Sequence, residues 1–228
     1  MKKRGGKKLY RMLNGMKKRD ILNLAVKTCD HGKTYLEHPA CYAKETGLTE
    51  RIGFFDIETS NLKADFGIMF SYAIKDQYGE IIGRTVTPKE MRTEVYDKKI
   101  VEECCEDLRK FDRVVTHFGT RFDLPFVRAR AIYHGCDFPV YQEVYHTDTY
   151  YMARSRLCIS RRRLETICEF FGIPAKGHKM NQTMWMRAVS GNKEALDYIW
   201  AHNIEDVVSL QAVFELLQDY SLTNRRSV

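Results

Sequence analysis

Two acids stand two residues apart in the stretch 51–58, where Ile52, Phe54, Phe55 and Ile57 read as a buried strand. Side chains alternate faces along a strand, so Asp56 and Glu58 point the same way. Neighbouring carboxylates repel, and burial adds to the cost. A divalent cation between them removes that cost. Phosphodiester cleavage commonly uses such ions, often two about 3.5–4 Å apart, to activate a nucleophile and stabilise the leaving oxygen. By itself the Asp-x-Glu pattern equally describes two solvated acids at a strand end.

Asp123 opens a predicted helix over 122–134, with Pro125 in its first turn. Asp is favoured as a helix cap and Pro just inside one, so a capping role accounts for both. A carboxylate at a helix start can also face the end of a neighbouring strand, and the two roles are compatible. His202 and Asp206 are four apart in the last predicted helix, hence stacked on one face. Val207, Val208, Leu210, Val213 and Leu216 supply an apolar stripe around them. Imidazole titrates near neutrality, which suits removal of a proton from a metal-bound water.

The elements that must position these residues begin at Arg51. After the first strand, 65–76 and 80–87 read as two strands joined as a hairpin through Gln77-Tyr78-Gly79. An amphipathic helix is predicted over 97–110, a short apolar strand over 113–117, the helix over 122–134 stopped by Gly135, and a fifth strand over 144–148. Helices follow over 162–171, 182–189 and 193–220. Strands first and helices later indicate an α/β sheet covered by helices.

The N-terminal part differs. Residues 1–20 carry nine Lys or Arg against one acid, a net +8, whereas the whole chain is +7. A basic arm on a near-neutral body is attracted to phosphate without regard to sequence, and is also what a solvated terminus looks like. In residues 21–50, Cys29, His31, His38 and Cys41 form C-x-H-x6-H-x2-C, a donor set suited to structural Zn²⁺. Four scattered polar loop residues would read the same way. Three segments result: an arm over 1–20, a candidate zinc knuckle over 21–50, and an α/β domain over 51–220.

Seven cysteines with no secretion signal argue against a disulfide framework. No apolar stretch is long enough to span a bilayer. Together these predict a cytoplasmic protein with no membrane partner. Arg121, Arg128, Arg130, Arg161, Arg162, Arg163 and the 176–179 turn could line a phosphate track, although several of them read as solvated helix faces; Tyr150, Tyr151 and Trp185 could stack bases, although most aromatics at such positions are core. His117, His146 and Asp148 read as structural.

Phe54-Phe55-Asp56-Ile57-Glu58-Thr59 resembles the first motif of the DnaQ-like, or DEDD, exonucleases. Phe122-Asp123-Leu124-Pro125-Phe126 resembles the second, and His202-Asn203-Ile204-Glu205-Asp206-Val207 the third. The motifs occur in order over about 51–217, and the branch most resembled is the YprB-like ribonuclease-H-like exonucleases. The resemblance implies a mixed five-stranded sheet flanked by helices. It implies two Mg²⁺ or Mn²⁺ ions held by Asp56, Glu58, Asp123 and Asp206, with His202 orienting or deprotonating the attacking water. Thr59, Arg121 and Phe122 would contact substrate, the single-stranded 3′ end of DNA or RNA. The chain departs from the family in two places. His202 stands at the interval where one subclass has Tyr, and 117–121 lacks the Asn that often precedes the second motif. An endonuclease on the same sheet, or a silent zinc-bearing nucleic-acid adaptor, would share these features.

Overall fold

The computed structural model of the chain describes residues 18–37, 41–42, 50–174, 177, 181–220 and 226–227. These fall into two compact units divided between Glu50 and Arg51. Most of the basic arm, His38, and positions 176, 178 and 179 of the basic turn lie outside the described residues.

In the first unit, helix α1 (Lys18–Val26) crosses the boundary drawn at residue 20 between the arm and the candidate knuckle. The chain then reverses through Gly32, and Thr28 bridges to Thr34. Leu24, Cys29 and Tyr35 form a small core, with Leu36, Cys41 and Tyr42 against it.

The second unit is the expected α/β layer structure. Its mixed sheet runs β3 (Ile81–Thr85), β2 (Met69–Asp76), β1 (Ile52–Thr59), β4 (Arg113–Thr116), β5 (Tyr145–Asp148). A two-residue strand, β6 (Arg226–Ser227), adds to the far edge, one strand beyond the five expected. β1 pairs antiparallel with β2 and parallel with β4, and β4 pairs parallel with β5. The β2–β3 hairpin closes where Asp76 Oδ1 accepts from the backbone N–H groups of Tyr78, Gly79 and Glu80. That local turn explains why Gln77-Tyr78-Gly79 was readable as a hairpin.

Alternation along β1 divides the core. Phe55 and Ile57 join a large cluster with α2 (Lys98–Leu108) and α3 (Asp123–His134). Phe54 points the other way, and packs with Ala73, Val115, Val207 and Leu210. The last two belong to α7 (Lys193–Leu217), which starts where the Asn192 side chain accepts from Ala195 N. Asp56 and Glu58 share the face of Phe54, so they lie on the side that α7 covers.

A helix missing from the sequence reading, α4 (Thr149–Arg156), follows β5 with no intervening loop. Its cap is the last strand residue, Asp148, which accepts from Tyr150 N at 3.0 Å. Helix α5 (Leu164–Phe171) and α4 pack with the C-terminal turns of α7 through Met152, Ala153, Ile167, Cys168, Val213 and Leu217. Helix α6 (Gln182–Val189) completes the unit.

Candidate active site

β1 outruns β4. Their last paired residues are Phe54 and Val115, and the chain leaves β4 after Thr116. The backbone of Ile57 is therefore open on that side, and Asp123 Oδ1 takes its N–H at 3.2 Å. Asp123 is the first residue of α3 rather than its cap, which is Phe122. The bond across to β1 replaces the capping role considered from sequence. Asp123 is only 3 % exposed. Burial, then the nearby Asp56 charge, push its carboxyl well above the usual Asp range, against the opposing pull of the Ile57 hydrogen bond.

Asp56 is held from the opposite direction. Asn203 Nδ2 donates to Asp56 Oδ2 at 2.7 Å, and Asn203 Oδ1 accepts from Ser71 Oγ at 3.0 Å. Ser71 stands directly across from Glu58 in the β1–β2 register. Asn203 and Ser71 are fully buried, so α7 is fastened to the sheet through a polar contact amid the apolar ones. Two residues of sequence pattern, His202 and Asp206, were visible as a pair; Asn203 between them was not singled out. The signal that could have found it is a polar side chain one residue past His202 and three before Asp206, hence near the same helix face.

On α7, His202 Nε2 lies 3.2 Å from Asp206 Oδ2 and 3.5 Å from Glu58 Oε1. These three residues each place one donor atom within 4.8 Å of the others. Asp56, Glu58, Asp123 and Asp206 all line one cavity of about 490 Å³. Its other walls include Leu62, Lys63, His117, Phe118, Arg121, Phe122 and Leu164. The cavity lies at the carboxyl ends of the parallel strands β1 and β4, where open α/β sheets commonly bind ligands.

The wall at 117–122 is a tight turn. Phe118 is left-handed (φ 68°), and Asp148 holds the turn by accepting from Phe118 N, Thr120 N and Thr120 Oγ1 at 2.6–2.9 Å. Gly119 packs so closely on β4 that a Cβ there would sit 2.3 Å from Thr116 Oγ1. His117 engages Thr149 Oγ1 and the Arg162 carbonyl, and His146 Nε2 engages Thr116 Oγ1. Asp148 and His117 thus brace the turn and His146 the end of β4, while His117 also lines the cavity. The exposed Phe118 is a wall residue that the sequence did not single out.

The opposite wall, 60–68, is fastened as firmly. Thr59 is buried and donates to the Asn61 carbonyl, and Trp185 Nε1 donates to the Ser60 carbonyl. Arg130 Nη1 donates to the Ala64 carbonyl, while its Nε pairs with Asp97, which is wholly buried and also accepts from Met69 N and meets His134 Nε2. Arg130 and Trp185 therefore brace the 60–68 loop from behind. Arg121 and Phe122 line the cavity. Arg128 stands over the Phe138 ring, and Tyr150 packs on Phe118.

In the first unit, His31 Nδ1 lies 3.7 Å from Cys29 Sγ and 3.4 Å from Cys41 Sγ. The three form a second group of convergent donors.

A model of the ribonuclease H superfamily matches residues 53–218, which is nearly three quarters of the chain. The chain belongs to the ribonuclease H superfamily. No curated protein matches it. Among solved structures, this superfamily member is similar to the family B DNA polymerase of the hyperthermophilic archaeon Pyrobaculum calidifontis, with a TM-score of 0.61 and 17% identity. The likeness covers 75% of this chain and 25% of the polymerase, and at that identity it speaks for the fold. Ribonuclease-H-like nucleases work with divalent cations on nucleic acid, and the oxygen-rich donor set of the cavity suits hard cations of that kind. No helix among the described residues is long and apolar enough to cross a membrane.

Proposed function

We propose that this chain is a metal-dependent 3′–5′ exonuclease of the DEDD type, of the YprB-like branch, acting on single-stranded ends of DNA or RNA. One observation carries the reading: four carboxylates from three distant segments meet on the wall of one cavity. The three motifs around those acids support the exonuclease form over an internal cut.

Asp56, Glu58, Asp123 and Asp206 would hold two cations, Mg²⁺ or Mn²⁺. When bound, these ions lower the pKa of water and stabilise the leaving oxygen. The chain's own residues do the rest. Asn203 and the Ile57 N–H fix the directions of Asp56 and Asp123, so each carboxylate is oriented before substrate arrives. Arg121, exposed on the wall, offers a cation to a phosphate, and its Nε reaches Tyr151 Oη at 3.4 Å. Phe118 and Phe122 present apolar surface on which a terminal base can lie. His202 stands beside both Glu58 and Asp206, placed to take a proton from a water or to bind an ion.

In the first unit, the reading is a structural zinc knuckle. Tetrahedral zinc, with bonds of about 2.3 Å to sulfur and 2.0–2.1 Å to nitrogen, separates the two donors by roughly 3.5 Å. The observed 3.7 and 3.4 Å bracket that value. His38 would be the fourth ligand.

The test is a nuclease time course on matched single-stranded DNA and RNA, each labelled at the 5′ end, with Mg²⁺, Mn²⁺ or EDTA. A metal-dependent ladder shrinking from the 3′ end, absent in Asp56→Asn, is the expected result. Discrete internal fragments would move the assignment to an endonuclease. Binding without cleavage on every substrate would leave a silent adaptor.

A further inference from the structure

We infer that His202 binds a cation directly through Nε2, together with Glu58 and Asp206, so that one of the two cation positions is a mixed nitrogen–oxygen site that prefers Mn²⁺ to Mg²⁺. This rests on the proposal that Glu58 and Asp206 are metal ligands, and goes beyond it in giving His202 a place among them.

Two observations support it. First, the spacing fits a shared ion. Bonds of about 2.0–2.2 Å at angles between a right angle and the tetrahedral value put two donors roughly 2.9–3.6 Å apart. His202 Nε2 lies 3.2 Å from Asp206 Oδ2 and 3.5 Å from Glu58 Oε1, both within that range, and the three residues place donor atoms within 4.8 Å of one another. Second, His202 stands one helical turn before Asp206, which directs its ring toward β1 at the level of Glu58.

The consequence is selectivity. Mg²⁺ favours oxygen donors and octahedral geometry and gives up water reluctantly, whereas imidazole raises affinity for first-row transition ions. An all-carboxylate site would take either ion. One imidazole in the set tilts it toward Mn²⁺.

The experiment titrates the full chain with MnCl₂ and follows electron paramagnetic resonance. The loss of the aquo-ion signal gives affinity, and pulsed measurements read hyperfine coupling to a directly bonded imidazole ¹⁴N. The expected result is such coupling in the wild type, replaced by ¹⁵N coupling when histidine is labelled. In His202→Gln the coupling should vanish, and Mn²⁺ affinity should fall about tenfold or more. Mg²⁺ affinity, read by competition, should change less than threefold. Absence of nitrogen coupling in the wild type overturns the inference without any variant, so a misfolded His202→Gln cannot rescue it. Coupling that persists in a folded His202→Gln also overturns it. Cleavage assays on the same preparation keep the two readings apart: cleavage without nitrogen coupling defeats the inference alone, and His202-dependent coupling without cleavage defeats the exonuclease alone.

Discussion

Replacing Asn203 by Ala tests whether the buried polar contact between α7 and the sheet is what aims Asp56. Asn203 is fully buried, donates to Asp56 Oδ2 at 2.7 Å, and accepts from Ser71 Oγ at 3.0 Å. A hydrogen bond to a charged group contributes about 1.5–3 kcal/mol. If that energy holds Asp56 in its working direction, its loss lowers kcat by roughly 10- to 150-fold, at about 1.4 kcal/mol per factor of ten. Asn203 does not line the cavity, so KM should stay within about twofold. A merely structural defect would lower the folded fraction without dividing kcat from KM in this way. Ser71→Ala leaves Asn203 in place but unanchored, and should cost several-fold less. Because Ser71 acts through Asn203, the double variant should be no slower than Asn203→Ala. The assay is steady-state cleavage of a 5′-labelled oligonucleotide at saturating Mn²⁺, with urea unfolding as a fold control. A kcat for folded Asn203→Ala within twofold of wild type would refute the reasoning, and so would additive losses in the double variant.

Arg130→Met leaves the wholly buried Asp97 carboxylate without its guanidinium partner, and should cost about 3–5 kcal/mol in urea unfolding. A loss below 1 kcal/mol would mean that His134 and the Met69 N–H suffice. Burial drives the Cys104 thiol well above its usual range and pushes Cys105 up to about 12, so neither should react with a thiol reagent at pH 8 in the native chain, while exposed Cys158 does. Mass mapping that finds all three labelled at equal rates would contradict the packing of α2. Asp123→Asn keeps an acceptor for the Ile57 N–H while removing a buried charge beside Asp56. Without metal it should raise the melting midpoint by a few degrees, about 1 kcal/mol for a chain of this size, whereas added Mn²⁺ should stabilise the wild type more than the variant. A lowered metal-free midpoint would show that the charge is compensated.

The legible parts of this fold are those set by local rules. Asp56 and Glu58 share a face because strands alternate, His202 and Asp206 share one because helices repeat, and Asp76 closes its own hairpin. Gly135 ends α3 in the left-handed conformation that few other residues adopt, which is why that boundary was readable. What stayed hidden depends on which elements meet. Arg130 looks in sequence like any exposed helical cation, since its partner Asp97 lies thirty-three residues away before another helix. Asp148 was readable as a strand end but not as the cap of α4, because one side chain serves the strand terminus, the helix start and the 117–122 turn at once. Asn203 was overlooked because its partners sit on β1 and β2, more than 130 residues back.

The same hidden contacts decide whether the acids can act as a site. Nothing in the four acids alone keeps them together: Asp56 and Asp123 repel, and Asp123 is buried where its charge is disfavoured. The fold holds two of them by bonds to backbone or amide groups of another element, Asp123 to β1 and Asp56 to α7. It then fastens both cavity walls from behind, through Asp148 on one side and the Asp97–Arg130 pair on the other. The carboxylates are thereby preorganised at a cost in stability that a cation would reverse on binding. On the proposed reading, the amide and the serine that aim Asp56, and the buried ion pair behind the 60–68 loop, matter as much as acids that many strand ends carry.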